Sequence, residues 1–149
     1  MLLSIDGFLR MEGKLEVLAK SVTTTAKQLR ILAVDDNEDN LLLLSEVLNV
    51  FDCSLLTATS GQTALTIAQA YNLDLILLDV MLPDLNGNEV VRRLKQNLTT
   101  ENIPIIAVTA LAREEDRDRL LAAGCSDYIS KPYMIDDLEA IVRRALVQI

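Results

Sequence analysis

The chain has 149 residues, no histidine, and a formal net charge of −8 from 14 basic and 22 acidic side chains. Half of it is hydrophobic, enough for a core, so a wholly disordered chain is excluded; the acidic balance argues against a surface built to neutralise nucleic-acid phosphates or to dock on anionic lipid. Without imidazole, any chemistry must run on Asp, Glu, Lys, Ser, Thr, Tyr or Cys.

Residues 1–28 stand apart as an N-terminal extension. They hold four basic and three acidic side chains, a net +1, which leaves −9 for residues 29–149. Ile5, Phe8, Leu9, Leu15, Leu18 and Ala19 fall near helical spacing, Gly7 and Gly13 weaken that helix, and Ser21–Thr25 reads as a linker. Three readings stay open: an amphipathic extension, a partner-binding or dimerising helix, or a true start at Met11. Met1–Leu9 is interrupted by Asp6 and lacks the basic flank and small-residue cleavage site of a signal peptide. No run reaches the roughly 18 apolar residues of a membrane helix. A cytoplasmic protein is expected, with Cys53 and Cys125 as reduced core residues.

From residue 29 the pattern alternates. Leu29–Val34 is an apolar run ending in Asp35-Asp36. Leu41–Val50 is helical, with Glu38 and Asn40 in its first turn. Cys53–Ala58 is strand-like, and Gly61–Tyr71 is Ala-rich and helical. Leu73–Leu78 is nearly all aliphatic and ends in Asp79. Residues 80–87 form a loop punctuated by Pro83 and Gly87, and Asn88–Gln96 is helical. Ile103–Val108 is aliphatic and ends in Thr109. Ala112–Ala123 is helical and stops at Gly124; its charged run Arg113–Arg119 reads as a solvated face. Asp127–Ser130 is a short strand before Lys131-Pro132, and Ile135–Val147 is a final amphipathic helix. Five strands alternating with five helices, with continuous aliphatic runs among the strands, predict a parallel α/β sheet covered on both faces.

In such a sheet all carboxyl ends lie on one edge, where ligands bind. Asp35, Asp36, Asp79, Thr109 and Lys131 therefore converge although they are far apart in sequence. At an effective dielectric near 20, two like charges about 4 Å apart repel by about 4 kcal/mol, and one lysine offsets only part of the repulsion among three carboxylates. An oxygen-only ligand set selects a hard divalent cation, Mg²⁺. One acid suffices to cap a helix, so the doubled Asp35-Asp36 asks for more than capping.

These residues carry a resemblance. Ile31-Leu32-Ala33-Val34-Asp35-Asp36-Asn37, Asp79-Val80-Met81-Leu82-Pro83-Asp84-Leu85-Asn86-Gly87, Val108-Thr109-Ala110 and Asp127-Tyr128-Ile129-Ser130-Lys131-Pro132 together resemble the receiver domain of two-component response regulators, over nearly all of residues 29–149. Gly124-Cys125-Ser126-Asp127-Tyr128 is similar to stand-alone receivers of the DivK kind. The resemblance implies a doubly wound CheY-like sheet in strand order 2-1-3-4-5. It implies that Asp79 accepts a phosphoryl group from a histidine kinase or histidine phosphotransfer protein. Asp36, Asp79 and the Met81 backbone carbonyl would hold Mg²⁺, with Asp35 acting through water. Lys131 would pair with Asp79 and then with the phosphoryl oxygens, Thr109 would bond the phosphoryl group, and Tyr128 would turn inward with Thr109. A cis Lys131–Pro132 bond is implied as well.

The apolar Met81 and Leu111 stand where many receivers carry polar groups, and are expected to shield the phosphoryl group and prolong the signal. With no output domain after the last helix, the expected signal is protein–protein contact through the helix from Ala112, the strand Asp127–Ser130 and the helix from Ile135, without direct DNA binding. Two other classes remain in view. A Mg²⁺-dependent phosphohydrolase of the haloacid-dehalogenase kind would place its nucleophile after the first strand in an Asp-x-Asp pair, whereas here the paired acids are adjacent and Asp79 follows the third strand. A phosphorylation-independent scaffold would not need all the catalytic positions intact.

Overall fold

The computed structural model describes residues 28–110 and 113–147. The readings made of residues 1–27 and of Leu111 fall outside them.

The elements are β1 (Leu29–Val34), α1 (Glu38–Leu48), β2 (Cys53–Ala58), α2 (Gly61–Ala70), β3 (Leu75–Leu78), α3 (Gly87–Lys95), β4 (Ile105–Thr109), α4 (Glu114–Ala123), β5 (Asp127–Ser130) and α5 (Ile135–Leu146). The five strands form one sheet in the order β2-β1-β3-β4-β5, every pair parallel. The expected architecture and strand order are those observed.

Alternation along each strand divides the core in two. Ile31, Ala33, Leu75, Leu77, Ile106 and Val108 pack with Leu41, Leu44, Val47 and Leu48 of α1 and Leu138, Ile141, Val142 and Ala145 of α5. Leu32, Val34, Ile76, Leu78, Ile105 and Ala107 pack with Ala64, Leu65 and Ala68 of α2, Val90, Val91 and Leu94 of α3 and Leu120 of α4. A large aliphatic side chain buried in this way stabilises the fold by about 1.5–3 kcal/mol. β3 and β4 are buried throughout, whereas the edge strands β2 and β5 are mostly half-buried, because each has a neighbour on one side only. Expecting every strand to be buried on both faces therefore holds in the centre and fails at the edges. Cys53 shares that edge position and is half-buried; Cys125 is buried, and both are free thiols.

Local chemistry sets the element ends. Asn37, Ser60 and Asn86 cap α1, α2 and α3 by accepting the backbone N–H of Asn40, Thr63 and Asn88. Gly124 ends α4 at φ 123°, a conformation other residues rarely adopt. Some boundaries move by one to three residues. β3 starts at Leu75; just before it the Asp74 N–H donates to Arg30 O at 2.8 Å, and the Asp74 carboxylate accepts the N–H of Arg30 at 2.9 Å. β4 starts after Pro104, which has no N–H but whose carbonyl accepts from Ile76 at 3.0 Å. In α4 the charged run is not wholly solvated: Asp116 is buried, with Arg113 Nε 3.5 Å and Arg119 3.6 Å from its carboxylate.

Strand ends are held in line by three further backbone bonds. Asp35 N–H donates to Ala58 O at 3.1 Å, Asp79 N–H to Val34 O at 2.9 Å and Lys131 N–H to Thr109 O at 2.7 Å. Each donor lies one residue past its own strand, so three functional side chains begin from one rim.

Candidate functional site

The rim carries the expected acids. Asp35 (2% exposed) and Asp79 (7% exposed) are buried and Asp36 is exposed at the mouth. One carboxylate oxygen from each of the three lies within 4.8 Å of the others. Lys131 reaches in from the end of β5: its Nζ donates to Asp35 Oδ2 at 2.8 Å and to Asp79 Oδ2 at 3.1 Å. The Lys131–Pro132 peptide is cis.

The electrostatics follow from sharing one ammonium between two buried acids. Burial pushes the Asp79 carboxyl up; the Met81 N–H and Lys131 pull it down, Asp35 adds to the rise, and the net direction is up. Burial alone would lower Lys131, but its bonds to Asp35 and Asp79 outweigh that and raise it. The two directions agree physically: Lys131 gains from two anions, while Asp79 receives only part of one cation.

A metal is not needed to explain the fold, but the donor set fits one. Three carboxylates face one another with neither imidazole nor thiolate among them, and the single lysine leaves net negative charge. This suits a hard, oxygen-seeking divalent ion. Met81 stands beside the notch, 57% exposed, its N–H donating to Asp79 Oδ1 at 2.9 Å. Thr109, fully buried, ends β4 opposite Ser130, and Tyr128 is half-buried against the α2–α4 side of the core, in register with Ala107.

Three polar residues of the site escaped the sequence reading. Asn37 N–H donates to Asp35 Oδ1 at 2.9 Å, and Asn40 Nδ2 donates to Asp35 Oδ2 at 3.2 Å. Asp84 accepts the N–H of Gly61 at 2.8 Å and of Gln62 at 2.9 Å, tying loop 80–86 to the start of α2. These bonds hold its carboxyl below the usual range. Asn40 was legible in principle, because side chains in a first helical turn point back toward the N-terminus. Asp84 was not, since its partners are 23 and 22 residues away.

Two clefts flank the notch. One of about 610 Å³ runs past Asp36 and Met81 toward Asn88, Asp116 and Arg119. The other, about 420 Å³, is lined by Asp35, Asn40 and Lys131 with Leu43, Val108 and Tyr133. No helix among the described residues is long and apolar enough to cross a membrane.

This arrangement has close counterparts. Response regulator PleD of Caulobacter vibrioides is 44% identical over 114 residues, 76% of this chain, although the match spans only 25% of PleD. Polar-differentiation response regulator DivK of Brucella ovis is 38% identical over 105 residues, 70% of this chain and 85% of DivK. The receiver domain of sensor histidine kinase PA1611 from Pseudomonas aeruginosa, solved with a magnesium ion coordinated in its active-site cleft, superposes with a TM-score of 0.74 at 31% identity, over 81% of this chain and 99% of that domain. The response regulator receiver domain pattern itself matches residues 31–143. With the doubly wound sheet and the acidic notch at its carboxyl rim, these matches show that the chain belongs to the response regulator receiver family of two-component systems.

Proposed function

We propose that residues 29–149 form a receiver that takes a phosphoryl group onto Asp79 from a histidine kinase or histidine phosphotransfer protein, and that it signals in the cytoplasm by phosphorylation-dependent contact with another protein. The observation that carries this reading is the pairing of Lys131 with both Asp35 and Asp79 beside the exposed Asp36. Similarity to DivK over 85% of its length supports action as a stand-alone receiver.

The chemistry asks for positioning and charge more than for acid–base catalysis. Met81 N–H fixes Asp79 Oδ1, so Oδ2, held only by the flexible Lys131 ammonium, is the attacking oxygen. It forms the new P–O bond as the donor's P–N bond breaks, and the electron pair leaves with the imidazole nitrogen. Lys131 then follows the charge to the phosphoryl oxygens. Asp36, Asp79 and the Met81 carbonyl would hold Mg²⁺ directly and Asp35 through water, and the ion would supply the positive charge that lets a phosphate approach three acids. The Thr109 hydroxyl turns toward the new oxygens and Tyr128 moves inward behind it, passing the change to the α4, β5 and α5 face.

The test is intact-mass measurement of the full chain after incubation with Mg²⁺ and a small phosphodonor such as phosphoramidate. One added phosphate, absent in Asp79→Asn, is the expected result; an unmodified parent overturns the reading. Sustained turnover of an aryl phosphate would favour the phosphohydrolase instead, and partner binding indifferent to phosphorylation would favour the scaffold.

A further inference from the structure

We propose that Asn40 is a positioning residue for phosphoryl uptake: it holds Asp35 in place when Lys131 lets go. The proposal rests on the phosphoacceptor role of Asp79.

Asp35 is the most enclosed acid of the notch, and three donors reach its two carboxylate oxygens. Oδ1 takes the N–H of Asn37 at 2.9 Å. Oδ2 takes both the Lys131 ammonium at 2.8 Å and the Asn40 amide at 3.2 Å. Only the NH₂ end of an amide can donate to a carboxylate, so the orientation of Asn40 follows from its partner. Asn40 is fixed in turn by its helix: its backbone N–H donates to Asn37 Oδ1, the cap of α1, at 3.0 Å. One short segment, residues 35–40, therefore aims both donors at its own first carboxylate.

The need for a second donor on Oδ2 comes from the reaction itself. When phosphate joins Asp79, its oxygens compete for the one ammonium shared with Asp35. A buried carboxylate oxygen stripped of its donor is costly. The Asn40 amide lies on the same oxygen and carries no net charge, so it stabilises Asp35 without opposing the transfer of positive charge toward phosphorus. Asn40 also lines the 420 Å³ cleft next to Lys131, on the side of the notch away from Asp36 and Met81. It can act on Asp35 without touching the residues proposed to hold the metal directly.

The experiment compares the full-length parent with Asn40→Leu, which keeps the bulk and loses the donor, and Asn40→Gln, which keeps an amide. The readouts are the rate of phosphate uptake from phosphoramidate at saturating Mg²⁺, the Mg²⁺ concentration for half-saturation, and the melting temperature. For loss of one hydrogen bond to a charged group, Asn40→Leu is expected to slow uptake about tenfold. Mg²⁺ half-saturation and melting temperature should change little, and Asn40→Gln should recover part of the rate. In an Asp35→Asn background, Asn40→Leu should cost nothing further, because its only route is through Asp35. A parent that takes up phosphate at the same rate as Asn40→Leu overturns this role and leaves the phosphoacceptor reading standing. Equal loss of rate and of melting temperature, or an undiminished effect in the Asp35→Asn background, overturns it as well. A parent that takes up no phosphate overturns the reading beneath it.

Discussion

Gly87 and Val80 touch at the neck of the loop that follows Asp79: a Cβ on Gly87 would lie 2.3 Å from the Val80 Cα. The neck is closed by the Gly87 N–H, which donates to Val80 O at 2.9 Å, and by the bridge between Met81 and Asn86. Backbone cannot yield to a methyl group as a flexible side-chain end can. Gly87→Ala should therefore destabilise the fold by about 1–3 kcal/mol, the usual range for forced overpacking. It should also weaken Mg²⁺ binding if the Met81 carbonyl is a ligand as proposed, because that carbonyl sits on the displaced loop. Urea unfolding with and without Mg²⁺ checks both; parental stability would mean that the neck opens freely.

The second prediction concerns charge. Lys131 is the cation shared by two buried acids, and it is 23% exposed, so solvent screens part of the pair. Lys131→Met should destabilise the metal-free protein by about 1–3 kcal/mol, the cost of leaving buried acceptors short of a donor. The emptied charge should make the notch more attractive to a divalent ion, so the variant's melting temperature should climb more steeply with Mg²⁺ than the parent's. Phosphate uptake should nevertheless fall if Lys131 follows the charge to the phosphoryl oxygens as proposed. Parallel Mg²⁺ curves would overturn the shared-cation account.

How much of this was legible in the sequence depends on range. The aliphatic runs around Ile31, Leu77 and Ile106 gave the three central strands and their parallel arrangement, because burial on both faces leaves no alternation to read. The acids were legible because each ends such a run. Asp84 was not legible: its bonds to Gly61 and Gln62 cross from one loop to another helix, and nothing in residues 79–87 names that partner. Asp116 was misread for a related reason. In a run of seven charged residues no pattern marks the one that turns inward, and tertiary packing alone decides it.

Acid should act on α3 through one side chain. Glu89 accepts from Arg92, and from Arg93 Nε at 2.7 Å, and these bonds lower its carboxyl from 4.5 to about 2. The folded value lies below the unfolded one, so the contribution is complete above pH 4.5 and is lost as the pH falls toward about 2. Glu89 is half-buried but both arginines are exposed, so the effect is small at neutral pH and salt weakens it. Melting temperature followed from pH 6 down to about pH 2 should fall more steeply in the parent than in Glu89→Gln, and added salt should narrow the difference. Superimposable curves would show that the arginines contribute nothing to stability.

If Met81 shields Asp79 as the sequence suggests, it sets how long a phosphoryl group would last. The residue is 57% exposed, yet it lines the same cleft as Asp36 two residues after Asp79, with its own N–H on Asp79 Oδ1. Hydrolysis of the aspartyl phosphate needs a water held in line, and a thioether holds water poorly whereas an amide can donate and accept. Met81→Asn should therefore shorten the lifetime several-fold with little change in uptake, because uptake brings its own leaving group and needs no water. Leu111→Glu is the companion variant at the second apolar position. Decay after removal of the donor, followed by intact mass, separates the effects: faster decay in Met81→Asn places the shield at the mouth, and unchanged decay in both variants overturns shielding altogether.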